Sequence, residues 1–156
     1  VVIYMTHSYM KCSGFCDNAL IQRENYPLTK KEGNNSGQQI WEKLVSQVPN
    51  LRLVLCGHHA HGADKDGNDK YEGSIGWRAD KNNAGETVYQ MLYDTQTLGG
   101  GWEGNGGDGW IRILEFMPDG KTVKVRTYSP LFGISPVTKH LASRTGELDQ
   151  FEFVID

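Results

Sequence analysis

The chain opens on residues 1–6, an apolar and β-branched run without polar alternation, which predicts a fully buried strand. Residues 8–35 are loop-like, interrupted by Gly14, Pro27 and Gly33-Asn34-Asn35. A helix is predicted next. Ser36 stands where an N-cap belongs and Gln39 follows three residues later, the capping-box spacing. Ile40, Trp41, Leu44, Val45 and Val48 then fall on one face at helical period, and Pro49-Asn50 ends the run. Residues 51–56, Leu-Arg-Leu-Val-Leu-Cys, predict a second buried strand.

Strand, helix, strand makes a βαβ unit, so the two strands are expected to be parallel, right-handedly connected and neighbours in the sheet. Residues 62–86 are polar and glycine-rich and read as a long surface loop. Residues 87–93 read as a strand, and the glycine-dense 97–109 cannot be regular structure. Strands at 110–117 and 121–128 are joined by Pro118-Asp119-Gly120, a hairpin signal. Val123, Val125 and Thr127 alternate with Lys124, Arg126 and Tyr128, which gives the second of them one wetter face. A last strand is expected at 151–155. The expected fold class is α/β: a βαβ unit followed by antiparallel strands.

Composition narrows the partners. Net charge is −3, and no lysine or arginine cluster forms a stripe, so a nucleic-acid surface is not expected. No apolar run approaches the ~20 residues that a membrane span needs. A buried strand at residue 1, with no initiator methionine or leader ahead of it, suggests the C-terminal portion of a longer domain; localisation is then unreadable from this segment. Of the three cysteines, Cys56 ends an apolar strand and reads as a small buried residue. Cys12 and Cys16 share a loop and could pair in an exported protein, though spacing alone does not establish it.

Four of the five histidines fall at two places, His7 and the run His58, His59, His61. Both places follow the C-terminal end of a predicted parallel strand, where open α/β sheets bind ligands. Neighbouring strands lie ~5 Å apart, so the two groups can converge. Imidazoles gathered at strand ends suit Zn, Fe or Mn. A single histidine such as His7 is ordinarily a capping or loop residue, but Gly57-His58-His59-Ala60-His61 is far less common by chance. His140 stands alone in a polar segment and reads as structural or exposed.

Met5-Thr6-His7-Ser8-Tyr9, the capped helix, and then Leu53 to Gly62 with its Gly-His-His-Ala-His run resemble the last two sequence blocks of the calcineurin-like metallophosphoesterases. The resemblance is closest to bacterial, often exported members, whose tails carry segments like Val88 to Leu92, Gly106 to Trp110 and Arg126 to Pro130 here. It covers nearly the whole chain, though only the histidine blocks are chemically specific. It implies half of a four-layer α/β/β/α sandwich, with 1–156 as the C-terminal portion of one domain, and a periplasmic or secreted setting. It also implies a cofactor of two divalent or trivalent metal ions (Fe, Zn or Mn). His7 matches the lone histidine of the family and His58 the first of its Gly-His-x-His block, both ligands of the second metal. Ala60 occupies the place of the block's second histidine, so either His61, which Gly62 follows as in the usual pattern, or His59 would serve the first metal.

The family's Asp-x-His, Gly-Asp and Gly-Asn-His blocks have no counterpart here. Gly67-Asn68-Asp69 and Gly107-Asp108 mimic fragments of them but read as turns. The bridging carboxylate and the catalytic histidine are therefore expected upstream, and no catalytic residue is expected within this chain. Imidazoles without a bridging carboxylate cannot hold two metals ~3.5 Å apart against their repulsion. The resemblance implies hydrolysis of phosphomonoesters or phosphodiesters, on a small molecule or a glycan- or lipid-linked substrate. Asn35 and Trp102 are candidates for the pocket mouth, since both stand in long loops. Two other readings compete: a glycan-binding β face carrying Trp77, Trp102 and Trp110, and a mononuclear metal site for structure or sensing.

Overall fold

The computed structural model describes residues 1–11, 14–16, 22–24, 33–59, 74–96, 98 and 107–156. The chain divides into two compact units, Val1–His61 with Ser74–Asp94, and Gly62–Gly73 with Thr95–Asp156. Both are mixed α/β structures in which strands dominate.

The first unit contains β1 (Val2–Met5), β2 (Met10–Lys11), β3 (Gly14–Cys16), β4 (Gln22–Arg23), α1 (Gly37–Lys43), β5 (Leu51–Cys56), β6 (Ser74–Lys81) and β7 (Thr87–Asp94). Its main sheet runs β1-β5-β7-β6-β3. The βαβ expectation holds: β1 and β5 are parallel neighbours, with Ile3 opposite Leu53 and Met5 opposite Leu55. The helix is capped as its sequence indicates. Ser36 Oγ accepts from the Gln39 amide at 3.2 Å, and the Ser36 amide donates to Gln39 Oε1 at 2.9 Å. α1 gives way to a 3-10 turn at Val45–Gln47 before β5 begins. Val45 is fully buried with Tyr9, Met10, Leu51, Val54, Cys56, Val88 and Leu92, and Ile40, Trp41 and Val48 pack against that cluster. Burial of such side chains contributes ~1.5–3 kcal/mol each.

Three expectations need correction. Residues 1–6 do form a strand, but not a buried one: Val2, Ile3 and Met5 are 38%, 41% and 74% exposed. β1 is the edge of its sheet and pairs only with β5 among the described residues, so its apolar side chains have no second neighbour. The expected loop at 62–86 contains β6, antiparallel to β7 from Ser74–Asp94 to Lys81–Thr87. Its charged residues Arg78 and Asp80 disguise it, because the Arg23 partner of Asp80 lies 57 residues away in sequence. Arg23 donates to Asp80, Arg78 donates to both Asp80 oxygens at 2.7 Å, and Gln90 Nε2 donates to Asp80 at 2.6 Å. Finally, the expected loop at 8–35 carries short pairings: β2 is antiparallel to β4, and β3 is parallel to β6.

The second unit contains β8 (Ile111–Phe116), β9 (Thr122–Tyr128), α2 (Pro130–Ile134), β10 (Ser143–Arg144) and β11 (Phe151–Val154). β9 is central, paired antiparallel with β8, β10 and β11. Its alternation is the expected one, with Val123, Val125 and Thr127 buried and Lys124 and Arg126 exposed. The turn at Asp119 is tied by its own carboxylate, which accepts from the Lys121 and Thr122 amides at 2.9 and 2.8 Å. Gly107, Asp108 and Gly109 all have positive φ, so this fragment is a tight turn. His140 is exposed in a 3-10 turn, Lys139–Leu141. Among the described residues no helix is long and apolar enough to cross a membrane.

Candidate metal centre at two strand ends

The β1–β5 ladder does not stop where the strands do. The Thr6 amide donates to Leu55 O at 3.0 Å, and the Gly57 amide donates to His7 O at 3.0 Å. These two bonds carry the parallel register one step further and set His7 beside Gly57 and His58. The imidazoles of His7 and His58 then face each other with ring centroids 4.4 Å apart, inclined at 55°. Both residues are exposed.

The backbone at His58 is unusual. The His59 amide donates back to Gly57 O at 2.9 Å, spanning three residues, and His58 at the centre has φ +69°. That is the rarer, positive-φ form of the γ-turn. A side chain in this region costs roughly 1–2 kcal/mol, and such strain clusters at functional sites. The tight turn brings His58 back to His7 immediately after the strand ends.

The residues beneath the pair are buried. Cys56 Sγ donates to Met91 O at 3.4 Å, and burial is the main reason its thiol is pushed up to about 12. A thiol held neutral is a poor metal ligand, because the thiolate is the binding form. Cys56 is thus the small buried residue that its sequence position suggested. The side chains of Cys12 and Cys16 lie outside the described residues.

Tyr9 OH donates to Gln90 Oε1 at 2.9 Å, and Arg23 Nε donates to the same oxygen at 2.9 Å. The Arg23 guanidinium also lies 3.9 Å over the Trp41 ring. Glu24 is 3% exposed and accepts from Ser8 Oγ. Sequence reasoning passed over Arg23 and Glu24, because an Arg-Glu pair in a polar loop has no local pattern to mark it as buried.

The other candidates divide clearly. His59 is half-buried beside the pair. His61 and Trp102 lie outside the described residues. Asn35 is exposed, accepts from Lys43 Nζ at 2.7 Å and thereby joins the last turn of α1. Trp77 stacks on Tyr89 at 5.5 Å, and Trp110 meets Phe132 edge-on at 5.6 Å, each within its own unit.

Two exposed imidazoles in ring contact, with backbone fixed on both sides, suit part of a metal's ligand set: both are borderline nitrogen donors that bind in neutral form. Among the described residues no group of three or more His, Cys, Asp or Glu side chains converges.

No family model matches the chain, and no solved structure matches it. The chain is similar to the uncharacterized protein YvnB of Bacillus subtilis, at 30% identity over 138 residues. The match covers 88% of this chain and 10% of that protein, so the chain spans about a tenth of the length of the curated relative it matches.

Proposed function

We propose that this chain is the C-terminal part of a metal-dependent phosphoesterase, hydrolysing phosphomonoesters or phosphodiesters through a dinuclear site of the calcineurin-like kind. The observation that carries the proposal is the 4.4 Å approach of the His7 and His58 rings at the ends of parallel neighbouring strands. These are the two positions that the family pattern assigns to one metal. The capped helix between the strands supports the same reading, as does the strained turn at His58. In its finer form the proposal makes the first unit's sheet one layer pair of a four-layer α/β/β/α sandwich.

In this reading His7 and His58 hold the second metal as neutral imidazoles, and His61 or His59 serves the first. Bound metals would supply a water of lowered pKa and charge stabilisation on the phosphate oxygens. This chain's own contribution is to position imidazoles and keep them at one spacing. The bridging carboxylate and the catalytic histidine belong to sequence outside this chain, and the substrate is a phosphate ester, free or glycan- or lipid-linked.

Metal content tests the proposal. Elemental analysis of the complete protein should find about two metals, lost on His7→Ala or His58→Ala together with turnover of p-nitrophenyl phosphate or its bis ester. The 156-residue chain by itself should hydrolyse both at background rate. A metal-free complete protein that binds glycans tightly would sink the proposal, and one metal per chain would favour a mononuclear site instead.

A further inference from the structure

We propose that Ser8 and Glu24 are positioning residues for the His7 imidazole, acting through the backbone of residues 7–9. The inference rests on the reading of His7 and His58 as metal ligands, and it names what holds them in place.

The His7 ring meets the His58 ring with centroids 4.4 Å apart. Where the ring stands depends on its backbone, which is hydrogen-bonded on both sides. One side of that backbone is fixed by Gly57, whose amide donates to His7 O. The other side is fixed by Glu24. Its carboxylate accepts from Ser8 Oγ, and its amide donates to Tyr9 O at 2.9 Å, so one residue grips both positions after His7. Glu24 is itself held, because its carbonyl accepts from the Gln38 amide at 2.9 Å in the first turn of α1. Arg23, next to it, is locked by Asp80, Gln90 and Trp41.

A buried carboxylate is an expensive way to hold a loop. Its desolvation costs several kcal/mol unless hydrogen bonds and charges offset it. The location suggests a reason. Ser8, which the Glu24 carboxylate holds, directly follows His7, and His7 O in turn accepts from the Gly57 amide next to His58. Glu24 is thus linked through Ser8 and the backbone of residues 7–9 to the place where the paired histidines meet. Metal-ligating histidines depend on such outer partners for orientation, and losing one typically costs 10–100-fold in affinity.

The test uses Co2+ as probe on the complete protein, with titration calorimetry for affinity and NMR cross-relaxation between the His7 and His58 rings as a metal-free readout. Ser8→Ala and Glu24→Ala should each weaken Co2+ binding about tenfold and weaken the ring-to-ring cross-peak. The double variant should lose no more than either single one, because the two residues act as a unit. Glu24→Gln keeps an acceptor for Ser8 and should stay within about threefold of wild type, since a neutral acceptor weakens the bond without abolishing it. If Glu24→Ala does not fold, Ser8→Ala carries the test alone. The positioning role is overturned if both single variants keep wild-type affinity and cross-peaks, if the double loss is multiplicative, or if Glu24→Gln is as weak as Glu24→Ala. Equal Co2+ binding by wild type and His58→Ala would instead overturn the metal reading, and the cross-peaks would still decide the role of Ser8 and Glu24.

Discussion

Gly37, the first residue of α1, lies so close to the carbonyl of Tyr9 that a Cβ at position 37 would fall far inside contact distance of that oxygen. The same carbonyl accepts from the Glu24 amide, so the helix start, the Glu24 segment and the stretch after His7 meet at one atom. Backbone cannot give way as a flexible side chain can. Gly37→Ala should destabilise the protein by about 1–3 kcal/mol, the usual cost of overpacking, despite alanine's better helix propensity. Urea unfolding checks this, and a stability equal to wild type would mean that the approach relaxes freely.

Asp80, on β6, gathers two guanidiniums and a side-chain amide. Burial pushes its pKa up, but the hydrogen bonds from Arg78 and Gln90 and the charges of Arg23 and Arg78 outweigh it, so the carboxyl sits below its ordinary value. Asp80→Ala leaves Arg23, 8% exposed, without its counter-charge and should cost about 3 kcal/mol. The pH dependence follows from the lowered folded value. The contribution is present above the unfolded value near 3.8 and is lost as pH falls through the folded one. Asp80→Asn should therefore flatten the acid limb of stability below about pH 4, measured by chemical unfolding across pH 2–5.

These two sites mark where sequence was a good guide and where it was not. Ser36 and Gln39 announce α1 because both capping bonds close within one turn. Val123 and Val125 announce β9 because alternation is local. Asp80 argues against a strand when read locally, since its partner Arg23 is 57 residues distant. Ile3 suggests burial, yet burial depends on a neighbour, and β1 has one on a single side. The site divides in the same way. His7 and His58 were legible from the strand-end rule, whereas Glu24 reads as a solvated loop residue and reveals itself through its burial and its bonds to Ser8 and Tyr9.

Cys56 gives the protein an alkaline weakness. Its thiol rises from 9.0 to about 12 on folding, mainly through burial. A raised folded value means the contribution is whole below the unfolded pKa and is lost as pH climbs toward the folded one. At pH 10 the unfolded chain's free thiolate should favour unfolding by about 1.4 kcal/mol. Unfolding free energies between pH 8 and 11 should fall less steeply in Cys56→Ala than in wild type. Buried Tyr9, also raised, would continue the decline at higher pH in both. Parallel slopes in the two proteins would remove Cys56 as the cause.

His58 offers the sharpest separation of stability from site chemistry. Its φ of +69° suits glycine and strains any residue with a Cβ. Removing the imidazole should therefore have different consequences for stability in two variants that are equally dead as ligands. His58→Ala keeps the Cβ and the strain, and should leave stability near wild type. His58→Gly relieves the strain, so it should be more stable than His58→Ala by about 1 kcal/mol, less a small gain in unfolded-chain entropy. Thermal unfolding of the metal-free proteins measures this difference, and Co2+ titration should show both variants weakened alike. Should the glycine variant be the less stable one, the backbone at His58 would not be strained. The tight turn could then be explained by local packing, without a ligand position to justify it.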